Sequence, residues 1–275
     1  MPSTSPSVRE HFETPEIVAA TESSAAAGLW DVESRALGVP AQFGGDGASE
    51  GDVGEAGDPR ESAARGAVLV DLGCGAGRSS IALATGFEEV VLMDLSPRML
   101  TAATAAVAAV RGGSENVSVH HLDLHASLAA RPVPTEPLEA WERDLSRADL
   151  VVAANVMCYI QCRDARVRML RAVLERLAPD ARLLVTNHVV PPEGVQELRD
   201  MARSVGQDPA ALGDDALLDT TSQDGSFVHW FTPDSLAAEL RTAADGPVDL
   251  KVSDDGLRAA AMLRSAATTG IGRTG

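Results

Sequence analysis

The sequence VLVDLGCGAGR, residues 68–78, decides the fold. Its first five residues form an apolar run with one acid, Asp71, which is typical of a strand covered on both faces. Gly73, Gly75 and Gly77 follow at once, and glycines let a backbone turn sharply and approach a ligand closely. Because ligands of open parallel sheets bind at the carboxyl ends of the strands, the stretch predicts a binding loop after a first buried strand.

This loop does not match the two common phosphate-binding patterns. The dinucleotide fingerprint needs glycine or alanine at its sixth position, but that position is Arg78 when counted from Gly73 and Ser80 when counted from Gly75. A Walker loop needs Gly-Lys followed by Ser or Thr, and no such sequence follows. The loop fits the pattern Asp-x-Gly-x-Gly-x-Gly, although a glycine triplet alone can also be a tight turn that packs a helix on a strand.

An acid at the end of the second predicted strand strengthens the ligand interpretation. Residues 89–94 end in Asp94, seventeen residues beyond Gly77. An acid at this place can receive the two hydroxyl groups of a ribose. A single strand-end acid often only caps a turn, but Asp71, the glycines and Asp94 together favour a nucleoside-binding site.

Strands and helices alternate along the rest of the chain, and this order predicts parallel pairing with right-handed crossovers. We therefore expect an α/β fold with a doubly wound, mostly parallel sheet, an N-terminal helical lid and an insertion after strand five. The predicted strands span residues 67–72, 89–94, 117–121, 148–155 and 181–190.

The composition divides the chain into four predicted segments. They are an N-terminal helical lid segment over 1–43, a flexible acidic glycine-rich loop over 44–66, the nucleoside-binding domain over 67–267 and a frayed tail over 268–275. Residues 248–252 are one candidate for a further strand and residues 227–231 are another, whereas residues 256–267 favour a helix.

Charge and cysteine content limit the partners. The chain has 275 residues, 40 Asp and Glu against 23 Lys and Arg, and a formal net charge of −17. This balance argues against nucleic acid, which needs clustered basic residues, and against an anionic membrane surface. No apolar run approaches the roughly 20 residues of a membrane span. Three scattered cysteines fit a reducing compartment, so we expect a cytoplasmic protein, monomeric or homodimeric.

Three further segments carry a resemblance to a known family. GLWDVE at 28–33, AANV at 153–156 with Tyr159 and Ile160, and LERLAP at 174–179 are similar, with the glycine loop, to class I S-adenosylmethionine (SAM)-dependent methyltransferases of the seven-stranded Rossmann-like type, small-molecule branch. The resemblance covers about residues 28–190. It implies a seven-stranded Rossmann-like sheet that ends with two antiparallel strands after strand five. The usual Pro-Gly-Gly of one turn is Pro-Asp-Ala at 179–181, a departure away from the cofactor.

The resemblance implies SAM as the cofactor and S-adenosylhomocysteine as its product. It implies that the methionine end lies along the glycine loop, that Asp94 holds the ribose hydroxyls, and that Asn155 lies beside the sulfonium and the acceptor. The residues implied to bind the cofactor are Asp71, Gly73, Cys74, Gly75, Gly77, Asp94, Leu95, Asp123, Leu124 and Asn155.

Few residues can act on an acceptor. A general base is needed only when the nucleophile carries a proton of high pKa. His188 and His229 are the candidate bases, and Asn155 completes the candidate catalytic set. The candidate substrate contacts are Trp30, Glu33, Tyr159 and Trp230, with core packing as the alternative for the aromatic ones. We expect no metal, because adjacent strand residues such as His120 and His121 point to opposite faces.

The sequence thus predicts in-line transfer of a methyl group from SAM to a small molecule, a secondary metabolite or a short peptide, mainly by proximity and orientation. It leaves open whether N, O, S or C is methylated. One alternative is a non-catalytic SAM-binding partner or regulatory protein, which predicts a blocked acceptor pocket. The other is a nicotinamide-dependent oxidoreductase, against which Arg78 and the lack of a Tyr-x-x-x-Lys pair argue.

Overall fold

The computed structural model describes residues 10–25, 28–38, 67–129, 139–204, 206, 208–210, 218–221 and 227–264. The predicted acidic loop over 44–66 and the predicted tail over 268–275 lie outside these residues. The four-segment division of the chain therefore stays a prediction.

One sheet of seven strands dominates the fold. The strands of the described residues are β1 (Val68–Leu72), β2 (Glu89–Asp94), β3 (Val117–His121), β4 (Leu150–Ala154), β5 (Arg182–His188), β6 (Asp219–Thr221), β7 (Phe227–His229), β8 (Leu250–Val252) and β9 (Arg258–Arg264). The strand order in the sheet is β3-β2-β1-β4-β5-β9-β8. Strands β1 to β5 pair in parallel, and β9 runs antiparallel to both of its neighbours. This confirms the predicted doubly wound, mostly parallel Rossmann-like sheet.

Helices cover both faces of the sheet. In the part of the chain that is described, no helix is long and apolar enough to cross a bilayer. The α-helices are α1 (Pro15–Ala25), α2 (Asp31–Leu37), α3 (Arg78–Leu83), α4 (Pro97–Arg111), α5 (Ala140–Ser146), α6 (Arg163–Arg176), α7 (Pro192–Ser204) and α8 (Pro233–Ala244).

The first strand shows why its sequence is apolar without alternation. Val68, Val70 and Leu72 are buried in one core cluster with residues of α5, α6 and α8. Leu69, which points the other way, is buried in a second cluster with Val32 of α2 and residues of α4. Successive strand residues face opposite sides, so a strand covered on both sides needs apolar residues at both sets of positions.

The helix expected over residues 256–267 is wrong, because residues 258–264 form β9. Alanine favours helices when only local propensity counts, but Ala259, Ala260 and Ala261 are fully buried between β5 and β8. A turn precedes the strand: Ser253 N donates to Arg258 O at 2.9 Å, and Gly256 has φ +72°. Burial on both faces of the sheet outweighs the local preference of the alanines.

Of the two candidates for the remaining strand, residues 248–252 are correct and residues 227–231 are not. β8 lies at the sheet edge beside β9. β7 instead pairs with β6 in a separate two-stranded sheet, within the insertion that follows β5. A single parallel bridge between Val189 and Phe231 ties this insertion to the end of β5.

We expect Gly73→Ala to destabilise the fold far more than Gly112→Ala. Both residues have positive φ, +67° and +77°, which costs alanine about 1 kcal/mol. A Cβ on Gly73 would lie 2.6 Å from Cγ2 of Val156, whereas one on Gly112 would meet no atom within 4 Å. The added overlap should raise the loss for Gly73→Ala to about 2–4 kcal/mol in urea unfolding. Equal losses would show that Val156 moves aside freely.

Candidate functional site

The loop after β1 turns on glycines with left-handed backbone. Gly73, Gly75 and Gly77 have φ of +67°, +52° and +92°. Gly73 N and Cys74 N both donate to the carbonyl of Met93 in β2, at 2.7 and 3.0 Å. These two bonds hold the loop against the neighbouring strand, so its backbone forms the wall of a crevice at the sheet edge.

A cavity of about 660 Å³ opens at this edge, within the usual size range of small-molecule sites. Each of the five parallel strands contributes residues at or just beyond its carboxyl end, and α1 contributes Ile17 and Thr21. From the predicted site, the structure brings together Trp30, Asp71, Gly73, Cys74, Gly75, Asp94, Leu95, Asp123, Leu124, Asn155, Tyr159 and His188 as lining residues.

Asp94 is held in a fixed orientation by backbone donors. Its Oδ2 accepts from Gly75 N at 2.9 Å and its Oδ1 from Ser96 N at 2.8 Å. The residue is 9% exposed, and this burial raises the pKa of its carboxyl group, opposed by the backbone hydrogen bonds. Each carboxylate oxygen keeps a lone pair that these bonds do not use, so Asp94 can still accept hydrogen bonds from a ligand.

Asp71 lies deeper at the same edge and is 2% exposed. Its Oδ2 accepts from the hydroxyl of Ser80 in α3 at 2.6 Å. Burial raises its pKa to about 6, in spite of that hydrogen bond and the nearby positive charge of Arg78. This carboxyl group, which lines the cavity, therefore loses its proton as pH rises through about 6.

Asn155 follows β4 in a left-handed conformation, with φ +56°. Asparagine tolerates this conformation better than most residues. Its backbone N donates to Thr186 O at 2.9 Å, and its Oδ1 accepts from the backbone N of His188 at 3.1 Å. These bonds fix the Asn155 side chain between the ends of β4 and β5.

Four side chains meet at the β5 end of the cavity, and we call them the Trp30 cluster: Trp30, Arg78, His188 and Arg258. The guanidinium groups of Arg78 and Arg258 lie 4.3 and 5.0 Å from the centre of the Trp30 ring. The His188 ring lies edge-on to Trp30 at 4.9 Å. Burial, then Arg258 and Arg78, lowers the pKa of His188, so its ring is neutral at physiological pH.

Glu33, predicted to contact a substrate, lies beneath this cluster and does not line the cavity. It is fully buried, and its two carboxylate oxygens accept from the two Nη atoms of Arg78, both at 2.6 Å. The same carboxylate accepts from Trp30 N at 2.7 Å and from the hydroxyl of Thr186 at 3.0 Å. Its observed role is therefore to join α2, α3 and β5.

His229, Trp230 and Gly77 are the other predicted residues that the structure places away from the cavity. His229 is 2% exposed; its Nδ1 lies 2.6 Å from Asp219 Oδ1 and its Nε2 lies 3.2 Å from Nη2 of Arg166. Arg166 in turn is paired with the buried Glu239 at 2.6 Å. The predicted base His229 thus belongs to a buried network that holds the insertion on α6 and α8. Gly77 also does not line the cavity; a Cβ there would lie 3.2 Å from the Ala103 backbone of α4.

Part of the chain is similar to a known protein family. The model of a family described as a methyltransferase domain matches residues 70–183. This match and the strand order are consistent with the predicted class I SAM-dependent methyltransferases. No curated protein sequence is significantly similar to the chain.

Several solved methyltransferase structures resemble the chain. Magnesium protoporphyrin IX methyltransferase from Synechocystis PCC 6803, with bound SAH, has 15% identity and a TM-score of 0.46, over 73% of this chain and 75% of that chain. The 1,6-didemethyltoxoflavin-N1-methyltransferase of Burkholderia thailandensis has 18% identity and a TM-score of 0.47, over 74% and 72%.

The cavity also contains residues that the sequence did not identify. His11 and Phe12, just before α1, line it, and the Phe12 ring lies edge-on to Tyr159 at 5.0 Å. Arg258 lines it from the start of β9. No local signal marked these three residues, since each reaches the cavity only through long-range packing. Among the described residues, no group of three or more His, Cys, Asp or Glu is placed to hold a metal ion.

We expect Glu33→Gln to lower the free energy of unfolding by about 3 kcal/mol, because it leaves the Arg78 charge without its buried partner. Asp31→Asn is the matched control, since the Asp31–Arg35 pair is about half exposed, with side-chain exposures of 45% and 46%. An exposed pair contributes about 0–1 kcal/mol. Urea unfolding measures both variants, and equal effects would contradict a structural role for the buried pair.

The protonation of Asp71 should make the stability of the fold depend on pH. The pKa of Asp71 is about 6 in the folded chain against 3.8 for the free side chain. A raised pKa means that the stabilising contribution of the proton is complete below 3.8 and is lost as pH rises through 6. Asp71→Asn still accepts from Ser80 but does not titrate. From about pH 4 to about pH 7.5, the free energy of unfolding of the wild type should fall by roughly 2–3 kcal/mol relative to that of this variant. Urea unfolding measures both, and a difference between the two proteins that does not change with pH would refute the raised pKa of Asp71.

Proposed function

We propose that this protein transfers the methyl group of SAM to a small-molecule acceptor. One observation carries the proposal: Gly75 N bonds Asp94 at 2.9 Å, and both residues open on the same cavity as Asn155 and His188. A nucleoside-binding edge and a candidate acceptor end are thus continuous. The proposal includes the predicted cytoplasmic location and monomeric or homodimeric state.

The glycine loop and Asp94 fit the adenosyl and methionyl parts of SAM. The crevice needs glycine at position 73, because a side chain there would run into Val156 at 2.6 Å. In the proposal, the Asp94 carboxylate accepts the ribose hydroxyls with the lone pairs that Gly75 and Ser96 leave free. The adenine lies among Leu95, Asp123 and Leu124, and the methionyl part lies along Asp71, Gly73, Cys74 and Gly75. Gly77 contributes by letting α3 pack closely on α4.

When bound, SAM supplies a methyl group on a positively charged sulfonium, and the thioether that remains after transfer is neutral and needs no protonation. The task of the protein is to align a nucleophile with that methyl group, and such alignment can lower a barrier by about 7–11 kcal/mol in the best cases. Asn155, fixed between β4 and β5, and the ring of Tyr159 form the walls of the proposed acceptor space. Burial raises the pKa of Tyr159, so its hydroxyl stays neutral there.

His188 is the proposed proton acceptor for nucleophiles that carry a proton of high pKa. Its ring lies against Trp30 and borders the cavity. Because burial and two arginines lower its pKa, the ring is unprotonated at neutral pH and can take a proton from a hydroxyl or an amine. His229 has no part in the proposal, since it lies outside the cavity.

The two alternative functions fit this geometry less well. A non-catalytic SAM-binding protein predicts a blocked acceptor pocket, but the cavity continues past Gly75 to Asn155, Tyr159 and His188. A nicotinamide-dependent oxidoreductase needs room for a pyrophosphate at the start of α3. Arg78 occupies that place, with its side chain 15% exposed and fixed by Glu33.

The binding test uses Asp94→Asn, with Asp180→Asn, an exposed acid away from the site, as the matched control. We expect S-adenosylhomocysteine to bind the wild type and the control with equal dissociation constants in calorimetric titration. Asp94→Asn should weaken binding at least about 30-fold, since one charge-assisted hydrogen bond contributes roughly 2 kcal/mol. Tight NADH binding with no S-adenosylhomocysteine binding would exclude the proposed function.

Transfer itself requires a search for the acceptor. The wild-type protein, incubated with extracts of small molecules and SAM labelled in its methyl group, should give products that gain one labelled methyl group by mass spectrometry. Asp94→Asn, with its weakened cofactor binding, should give none at the same SAM concentration. If the protein binds SAM but never yields a labelled product, the non-catalytic alternative replaces the transferase.

A further inference from the structure

Arg258 places a positive charge at the end of the cavity farthest from Asp94. It is the first residue of β9, and its Cα lies opposite His188 in the antiparallel ladder. Its guanidinium lies 5.0 Å from the centre of the Trp30 ring, and the residue lines the cavity. The strands β4 and β5 lie between β1 and β9, so the glycine-loop strand and the Arg258 strand are three strand spacings apart, roughly 14 Å.

The charge of Arg258 is not neutralised as that of Arg78 is. Both oxygens of the Glu33 carboxylate bond Arg78 at 2.6 Å. For Arg258, the described residues offer one ion pair, with the exposed Asp255 at 3.5 Å, and no hydrogen-bond acceptor. Among the described residues, its buried Nε has no hydrogen-bond partner. Guanidinium groups bind carboxylates in a bidentate manner. The weakly paired side chain of Arg258 is therefore suited to bind a carboxylate.

The charges divide the cavity into two ends. Asp71 and Asp94 lie at the β1 and β2 end, where the proposed function places a cationic ligand. Arg258 and the neutral His188 lie at the opposite end, beyond Asn155. An arginine that lacks a strong partner repels a sulfonium and attracts an anion. The charge pattern therefore separates a site for the cationic donor from a site for a negatively charged group.

We propose that the acceptor carries a carboxylate and that Arg258 binds it, with Asn155 and His188 next to the atom to be methylated. This inference rests on the proposed function and deepens it by naming the chemical class of the acceptor. The apolar remainder of such a molecule has Phe12 and Tyr159 as neighbours, since both rings line the cavity.

The test measures binding of matched acids and amides to the protein saturated with S-adenosylhomocysteine. The probes are 4-hydroxybenzoate, indole-3-acetate and 1-naphthoate, each with its neutral amide. In wild type, we expect at least one acid to bind at least about tenfold more tightly than its amide, as for a charge-assisted contact. Arg258→Gln should remove the preference, and Arg258→Lys should keep part of it. Thermal unfolding of both variants verifies that they fold.

Two results overturn the inference. One is the absence of any acid-over-amide preference in the wild type, and the other is a preference that persists in folded Arg258→Gln. Failure of the proposed function is distinguishable, because it appears as failure of S-adenosylhomocysteine to bind before any probe is added.

The carboxylate could instead belong to the amino-acid part of the cofactor. Titration with 5′-methylthioadenosine, which lacks that part, separates the two sources. If Arg258 binds the acceptor, Arg258→Gln leaves the dissociation constants of both S-adenosylhomocysteine and 5′-methylthioadenosine within about twofold of wild type. If the variant weakens S-adenosylhomocysteine alone, Arg258 holds the cofactor and the inference about the acceptor is wrong.

Discussion

The buried carboxylate of Glu33 determines how the N-terminal helices meet the sheet. It accepts hydrogen bonds from Arg78, from the backbone of Trp30 and from Thr186, which belong to three different parts of the chain. Burying a carboxylate costs free energy unless its charge and its lone pairs all have partners, so these partners are required together. The position of the Trp30 ring follows from this network, and with it the wall of the cavity at the β5 end.

The proposed methyl transfer depends on orientation more than on strong acids and bases, and the fixed polar groups in this cavity are suited to orienting a ligand. The acids at the ends of β1 and β2 are held by backbone and hydroxyl donors, so they present fixed acceptors to a ligand. Asn155 is fixed in the same way by the end of β5. Groups that are oriented before the ligand arrives lose little freedom when it binds, and proximity then lowers the barrier.

Local chemistry explains which features the sequence predicted correctly. The parallel strands, the glycine loop and the strand-end Asp94 each leave a signal within a few residues, because buried strands are apolar runs and left-handed turns need glycine. His229 shows the limit of such reasoning. The sequence makes this histidine, which precedes two aromatic residues, a candidate general base. Its partners Arg166 and Asp219 come from other segments of the chain and place it in a buried network. His11 and Phe12 were missed for the same reason.

The sequence does not predict Arg258 at the site, because its segment favours a helix and because the strand that forms instead is antiparallel. Ligands of a parallel sheet lie at the carboxyl ends of the strands, so sequence reasoning looks for polar residues just after each strand. An antiparallel strand reverses this rule, because its amino end lies at that edge. Arg258, opposite His188, is at the ligand edge, whereas Arg264, opposite Arg182, is at the other. Had residues 256–267 been assigned as an antiparallel strand, the rule would have pointed to the first residue of that strand.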